Sequence, residues 1–211
     1  MTIQWLCEPP PVFSPCEFRI KWASSAWEIT QAQRLRRDVF CAEQGVFVGH
    51  DRDAVDSYAR CLVAVACIGG EADQVVGTVR IHPGRVSEAG HEIGLPANAN
   101  AQPDINPAAP TGADGLWWGS RLAVHAAFRH HARLGSALIP LAVSSAHARG
   151  CTLFLAHVQA QNGPLFECLH WRALRSITLH GRPHLLMQAD LAHYPPQHDP
   201  ITGFVVRSVR P

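Results

Sequence analysis

One stretch of the chain predicts a strand that leads through a short basic turn into a helix. Apolar residues dominate Trp117–Val124, which indicates the strand, and the helix opens at Gly135 and Ser136. The turn between them is rich in basic side chains, among them His130, His131 and Arg133. A helix start presents unpaired backbone N–H groups and a positive dipole end to an anion. The stretch therefore predicts an α/β fold with a phosphate site, although an ordinary strand–loop–helix connection gives the same pattern.

Two further apolar runs predict an antiparallel hairpin. Cys61–Ile68 and Val75–Ile81 are joined by a short turn that contains Gly69 and Gly70. Parallel strands need a crossover much longer than this connection. We therefore expect the two runs to pair with each other.

The remaining pattern predicts one mixed domain. Alternation at Phe18–Trp22 indicates a first strand, and a helix is predicted from Thr30, where Thr30 and Gln33 have capping-box spacing. A buried strand, a short helix and two further strands are predicted at Cys151–Val158, Leu165–Leu169, 174–180 and 184–191. The order β–α–β–β–β–α–β–α–β–β predicts a mixed α/β sheet with helices on both faces.

The pattern divides the chain into an arm, a domain and a tail. Prolines in residues 1–16 predict an irregular arm, and residues 17–195 predict the domain. Within the domain, residues 83–116 show no periodicity and predict a loop insertion. Residues 196–211 have no clear pattern and predict a C-terminal tail.

Composition favours a compact domain with a small-molecule substrate. Apolar residues make up 47% of the 211 residues, which is enough for a core without disulfide staples. The net charge of +1 predicts no nucleic-acid partner and no membrane-surface partner. The seven cysteines include no CxxC pair, which favours free thiols and a cytoplasmic location. The thirteen histidines have no recognised ligand spacing, so no metal is expected.

The strand, basic loop and helix start together resemble the acyl-CoA-binding core of the GCN5-related N-acetyltransferase (GNAT) superfamily. There a Gln/Arg-x-x-Gly-x-Gly/Ala loop holds a pyrophosphate; here His130, Arg133 and Gly135 take the first, fourth and sixth positions. A positive φ at Arg133 would be strained unless its guanidinium compensates by reaching a phosphate. The predicted element order is also that of the superfamily. The resemblance implies a GNAT-like acyl-CoA N-acyltransferase fold with a mostly antiparallel sheet.

Several blocks resemble a bacterial subgroup, the nitrogen-starvation acetyltransferases found in gene clusters with a nitrilase. The blocks are Arg36–Phe47, Asp51–Asp56, Val75–Ile81, Trp117–Val124, His157–Asn162 and Leu169–Trp171. The similarity extends from about residue 17 to Pro195, with residues 83–114 as an extra insertion.

The same blocks are similar to acyl-homoserine-lactone synthases of this superfamily. The spacing of those enzymes is matched by Arg36 with Phe40, Asp53 with Asp56, Arg80, and Ser120 with Arg121. Trp118 stands where the synthases have a glutamate that is expected to handle the acceptor amine. This departure argues against lactone synthesis.

The resemblance implies an acyl-CoA co-substrate, with acetyl-CoA as the expected donor. Backbone amides of the fourth strand, at Leu122, Ala123 and Val124, are assigned to the pantetheine arm and the oxyanion. The pyrophosphate is assigned to His130, His131, Arg133, Leu134, Gly135 and Ser136. Asn162 matches a position that commonly contacts the same arm.

The acceptor side is assigned to residues that the resemblance places in one cleft: Arg36, Phe40, Arg80, Trp118 and Arg121. Arg80 and Arg121 either bind an acidic group of the substrate or form structural ion pairs with nearby aspartates. Trp117 and Trp118 alternate across the strand, so we expect one in the core and one facing the cleft.

Acyl transfer to an amine requires a neutral amine and a stabilised oxyanion. The expected general base is Glu43, which shares a helix face with Phe40; its alternative is a solvated ion pair. Asp56 and His125 are lesser candidates. Phe166 stands where many members of the superfamily have a tyrosine as general acid. Either the thiolate leaves without a dedicated acid, or another group serves, with His170 as a candidate. Alternatively, His170 fills a glycine position in a turn.

The sequence therefore predicts a cytoplasmic N-acyltransferase that transfers acetyl from acetyl-CoA to a small amine by direct attack. One alternative is a transferase of the autoinducer-synthase type with a longer acyl donor. The other is a catalytically silent acyl-CoA-binding or interaction protein. A homodimer is compatible with each of these three hypotheses.

Overall fold

The computed structural model describes residues 17–68, 71–86, 92–94, 115–129 and 133–208. The strands in this part of the chain are β1 Glu17–Trp22, β2 Arg60–Ile68, β3 Glu71–Val86, β4 Glu92–Gly94, β5 Leu116–Val124, β6 Leu153–Gln159, β7 Trp171–Leu179, β8 Arg182–Ala189 and β9 Phe204–Arg207. The α-helices are α1 Ala26–Arg37, α2 Leu134–His147 and α3 Gly163–Cys168. A π-helical turn, Asp38–Glu43, continues α1.

The strands form one sheet in the order β7-β8-β6-β5-β3-β2-β1-β9, and β4 pairs with the end of β3. β5 and β6 pair in parallel, and the other paired strands of the described residues are antiparallel. This confirms the predicted mixed α/β fold and the predicted β2–β3 hairpin.

Helices cover both faces of the sheet, as the pattern predicts. On one face, Leu35 and Val39 of the α1 region pack against Val63 and Val65 of β2. On the other face, α2 and α3 pack in the larger core cluster, which contains Leu138 and Phe166. We call these the α1 face and the α2 face. Because side chains alternate along a strand, each strand contributes to both cores.

The first helix begins earlier than predicted. Ser25 is its N-cap, and the Ser25 hydroxyl and the Glu28 carboxylate form the capping box. The Thr30 hydroxyl instead donates to the Ala26 carbonyl inside the helix, so the box predicted at Thr30 and Gln33 is wrong. Two Ser/Thr-x-x-Glu/Gln patterns follow one another here, at residues 25–28 and 30–33, and the earlier one caps the helix.

Two segments that lacked a pattern contain strands. β3 continues to Val86 and pairs with β4, so residues 83–116 are not loop throughout; residues 87–91 and 95–114 lie outside the described part. β9 pairs antiparallel with β1, with Glu17 opposite Arg207, so part of the predicted tail completes the sheet edge. Among the described residues, no helix is both long and apolar enough to cross a membrane.

Candidate active site

The site lies where β5 and β6 separate. Their parallel ladder ends at the pair Gly119 and Ala156, although β5 continues to Val124 and β6 to Gln159. The strand edges beyond this pair face a gap in the sheet. A cavity of about 820 Å³ occupies the gap and reaches both faces of the sheet.

A β-bulge in β5 shapes the gap. Arg121 and Leu122 together oppose Val79, because the neighbouring register pairs are Thr78 with Ala123 and Arg80 with Ser120. Arg121 has φ of 55°, a left-handed conformation that an extra strand residue often adopts. The bulge turns this part of β5 away from regular pairing at the cavity wall.

The α2-face side of the cavity is apolar. Its wall, which we call the apolar part, consists of Val79, Leu122, Ile139, Ala142, Val143, Phe154, Ala156, Val158, Phe166 and Trp171. Phe154 and Phe166 make edge-to-face contacts with Trp171, with ring centroids 5.7 and 5.1 Å apart. This part can take a hydrocarbon chain, because a chain bound against these side chains would bury no polar group without a hydrogen-bond partner.

The α1-face side is polar. Its wall, which we call the polar part, includes Gln44, Phe47, Asp53, Tyr58, Arg80, Ser120, Arg121, His157 and Gln159. The register supports this division: Arg80 lies opposite Ser120 on one face, and Ala156 and Val158 lie in the α2-face core. The two parts meet in the gap between β5 and β6.

An ion-pair network forms one wall of the polar part. Arg36 Nε lies 2.7 Å from Asp51 Oδ2, and Arg36 Nη1 lies 2.5 Å from Asp56 Oδ1. Arg80 Nη1 lies 2.6 Å from Asp53 Oδ1 and 3.0 Å from Asp56 Oδ2. Asp56 therefore bridges two arginines that are almost fully buried.

Arg121 completes this network from the bulge. Its Nε lies 3.0 Å from Asp51 Oδ2, and its Nη2 lies 3.1 Å from Asp53 Oδ2. Its guanidinium lies over the Phe47 ring, 4.5 Å from the centroid. Three arginines and three aspartates thus balance in charge. Arg80 and Arg121 form the structural ion pairs of the second alternative, and both also line the cavity, where a substrate can contact them.

The network keeps its carboxylates ionised. Burial alone raises the pKa of Asp56, but hydrogen bonds and charge from Arg36 and Arg80 hold it far below its usual range. Burial also raises the pKa of Asp53, and Arg80 and Arg121 outweigh that effect and lower it. Burial lowers the pKa of Arg121, and the charge of Arg80 lowers it further. Asp53 and Asp56 are therefore poor proton acceptors near neutral pH.

A short segment after the π-helical turn closes the polar part from the side. Gln159 Nε2 donates to Gln44 Oε1 at 2.9 Å, and Arg182 donates to the Gln44 carbonyl. The rings of Phe47 and His180 are in contact, with centroids 4.8 Å apart. The segment therefore joins the α1 end to β6 and to the β7–β8 turn.

The start of α2 has the predicted strained geometry. Arg133 has φ of 48° and makes no side-chain capping bond to α2. Leu134 is buried, and a Cβ at Gly135 would meet nothing within 4 Å, so the space beside Gly135 is open. The assigned residues His130 and His131 lie outside the described residues.

The remaining cofactor-side residues divide between the cavity and the core. Leu122 and Asn162 line the cavity, while Ala123 is buried on the α1 face. Val124 and Ser136 are not in the cavity wall; Val124 packs against the α2-face core.

Two predicted catalytic residues lie outside the cavity wall. Glu43 is exposed and forms a salt bridge with Arg129, and the hydrogen bond from Arg129 lowers the pKa of Glu43. This position fits the solvated ion pair and argues against a base. His170 has φ of 61° at the end of α3 and stacks on His193, with ring centroids 3.8 Å apart. This geometry fits the residue that fills a glycine position in a turn.

The predicted acceptor residues also divide. Phe40, Arg80 and Arg121 line the cavity. Arg36 is buried in its ion pairs and is not in the wall, so it supports the wall from behind. Trp118 is fully buried in a small cluster with Leu155 and Leu186, and Trp117 is fully buried in the larger core on the opposite face, so neither indole faces the cleft.

Several cavity residues had no predicted role, among them Gln44, Tyr58, His157, Gln159 and His184. Their signal in the sequence is weak because single polar residues in apolar strands are usually satisfied core groups. The block His157–Asn162 carried the resemblance, but only Asn162 was assigned from it. Among the described residues, no cluster of His, Cys, Asp or Glu could hold a metal ion.

The fold is that of the GNAT acyl-CoA N-acyltransferases. An inferred N-acetyltransferase from Lactobacillus plantarum is similar, with a TM-score of 0.61, 20% identity, and coverage of 82% of this chain and 97% of that chain. An acyl-CoA N-acyltransferase from Pseudomonas aeruginosa has a TM-score of 0.52 and 18% identity, with coverage of 82% of this chain and 99% of that chain. The CoA-dependent acyl-homoserine lactone synthase BjaI has a TM-score of 0.58 and 18% identity, with coverage of 82% of this chain and 83% of that chain. A search of curated proteins finds no match.

The sequence comparison assigns the chain to a narrower family than the comparison of folds does. The sequence model of one family, described as N-acyl amino acid synthase FeeM, matches residues 31–189, which is more than half of the chain. The protein belongs to this family and is an N-acyltransferase. The match begins inside α1 and covers the ion-pair network, both parts of the cavity and β8.

Proposed function

We propose that the protein transfers an acyl group from an acyl-CoA thioester to the α-amino group of an amino acid. One observation carries the proposal: a single cavity passes through the sheet where β5 and β6 separate, apolar on one side and polar on the other. An acyl chain fits the first side, an amine acceptor fits the second, and the thioester carbonyl would lie between them. The direct attack predicted from the sequence requires this arrangement.

The donor side fits an extended thioester arm that ends at a helix start. The β5 edge beyond Gly119 offers backbone N–H groups to the arm and to a developing oxyanion, as predicted for Leu122. The first turn of α2, with open space beside Gly135, offers an anion site for the phosphates. These groups support an acyl-CoA co-substrate.

The ten residues of the apolar part favour a donor longer than acetyl. The whole cavity, its polar part included, has a volume of about 820 Å³, within the range of about 300–1,000 Å³ that holds drug-sized ligands. An acetyl group would leave the walls at Phe166 and Ala142 without contacting atoms, which loses dispersion energy. We therefore favour the longer-chain alternative over the acetyl donor.

The charges of the polar part fit an amino acid. Asp53 presents a carboxylate to the cavity, and Arg80 and Arg121 present guanidinium groups in the same wall. A zwitterion can contact both signs of charge. The family description names an amino acid acceptor, which agrees with this reading.

The leaving group needs little assistance. Phe166 lies in the apolar wall against Trp171 and has no ionisable proton, so it cannot act as a general acid. A thiol with a pKa of about 8.5 leaves readily as the thiolate.

Membership of the nitrilase-cluster subgroup stays a prediction from the sequence blocks.

Calorimetric titration with acetyl-CoA, octanoyl-CoA and free CoA tests the donor side, followed by a turnover assay with amino acids. We expect octanoyl-CoA to bind at least tenfold more tightly than acetyl-CoA, with N-acyl product and free thiol in equal amounts. The matched control acceptor is the amine that lacks the carboxylate, which should react more slowly. No heat and no thermal stabilisation with any donor would reject a CoA substrate. Binding without turnover would favour the silent binding protein.

A further inference from the structure

We propose that His157 is the general base that removes a proton from the acceptor amine. This assignment rests on the proposed function and names the group that carries its proton transfer. The expected base, Glu43, lies outside the cavity and is paired with Arg129. The reaction therefore needs another proton acceptor within the cavity wall.

His157 borders the gap where the two parts of the cavity meet. It directly follows Ala156, the last β6 residue that pairs with β5. Ala156 belongs to the α2-face core, so alternation along β6 directs His157 to the α1 face, the side of the polar part. Its ring contacts Trp118 on that face, with centroids 5.0 Å apart.

The contact with Trp118 fixes the imidazole at the cavity wall. Trp118 is fully buried and packs against the His157 ring, which limits the positions of the imidazole. The basic ring thus stands on β6 at the edge of the gap, beside the indole of the neighbouring strand.

The carboxylate and the other two histidines of the wall are held in ion pairs or lie further from the gap. Asp53 is held by Arg80 and Arg121. His184 lies on β8 opposite Gln159, one strand away from the gap, and its Nδ1 is 2.9 Å from the Arg182 carbonyl. His180 lies at the β7–β8 turn against Phe47. Histidine is the side chain that most often serves as a general base near neutral pH.

One histidine is sufficient for the proton transfers of the reaction. His157 accepts a proton from the acceptor's ammonium group, and the neutral amine then forms a C–N bond to the thioester carbonyl carbon. As the C–S bond breaks, the nitrogen loses its second proton to the departing sulfur. His157 then releases its proton to solvent. The products are the amide, the thiol and one proton.

The experiment compares His157→Gln with wild type, with His198→Gln as the exposed matched control. Each is assayed with the amino-acid acceptor and with hydroxylamine, an amine that is already neutral at pH 7. We expect kcat of His157→Gln for the amino acid to fall by about 100-fold or more. Octanoyl-CoA binding, thermal stability and hydroxylamine turnover should stay within about twofold of wild type.

Three results would overturn the assignment while leaving the proposed function intact. Wild-type kcat in His157→Gln would show that no proton passes through this ring. An equal loss with both acceptors would show a structural role, and a rise in KM alone would show acceptor binding. A wild-type enzyme inactive with every amine would instead overturn the proposed function, and this assignment with it.

Discussion

Asp56 shows how a single carboxylate can hold a wall of the site in place. It pairs with Arg36 and Arg80, whose side chains are almost fully buried, and it also accepts the backbone N–H of Asp53. Removing one partner of a buried ion pair leaves charge without compensation, which costs more than the pair contributes. Asp56 is therefore a structural residue of the polar part.

Asp56→Asn should destabilise the protein by about 3 kcal/mol at pH 7, measured by urea unfolding. The pKa of Asp56 is lowered by folding, so its stabilisation is present above the unfolded value near 4 and is lost as pH falls below it. The deficit of the variant should therefore shrink between pH 4 and pH 2. Asp38→Asn, an exposed control, should change stability by less than about 0.5 kcal/mol. An equal deficit at pH 7 and pH 2 would contradict the ion-pair explanation.

The sequence predicted which residues line the site better than it predicted what those residues do there. The resemblance to lactone synthases placed Phe40, Arg80 and Arg121 in one cleft, and all three line the cavity. It could not tell that Glu43 pairs with Arg129, because these residues are distant in the chain. It also could not tell that both faces at Trp117 and Trp118 are covered, since alternation alone does not say what packs on each face.

At the scale of elements, local pattern predicted most helices and strands, and non-local pairing decided the rest. The β2–β3 hairpin follows from a short turn, whereas β9 is four residues long and exists because β1 offers an edge. The site depends on the same kind of information: the end of the β5–β6 ladder has no local signature. The start of α2 is an exception, since the strain at Arg133 was expected from a missing glycine.

Replacing Arg133 separates its backbone role from its side-chain role. Arg133→Gly should be more stable than Arg133→Ala by about 1 kcal/mol, because only glycine adopts this positive φ without strain. Both variants should bind octanoyl-CoA about tenfold more weakly if the guanidinium contacts a phosphate, as charged hydrogen bonds of this kind contribute about 1.5–3 kcal/mol. Octanoyl-pantetheine, which lacks the phosphates, is the control ligand and should bind all three proteins equally. Unchanged affinity of Arg133→Ala for octanoyl-CoA would limit Arg133 to starting the helix.

At the scale of the whole molecule, the cavity is a gap in an otherwise continuous sheet. The larger core, which includes α2 and the β1–β3 strands, continues directly into the apolar part of the cavity. A bound acyl chain would therefore extend that core across the gap between β5 and β6. Binding and stability should be coupled through the length of the chain.

Ligand-dependent thermal unfolding measures this coupling. At a concentration 100 times Kd, a ligand stabilises the folded protein by about 2.7 kcal/mol, which should raise Tm by about 5–10 °C. At equal concentrations, octanoyl-CoA should raise Tm more than acetyl-CoA. Ala142→Leu places extra methyl groups in the apolar part and should reduce the octanoyl shift while leaving the acetyl shift in place. Ala137→Leu, on the same helix but outside the cavity wall, should keep both shifts. If Ala142→Leu kept the full octanoyl shift, the acyl chain would have to bind elsewhere than in the gap.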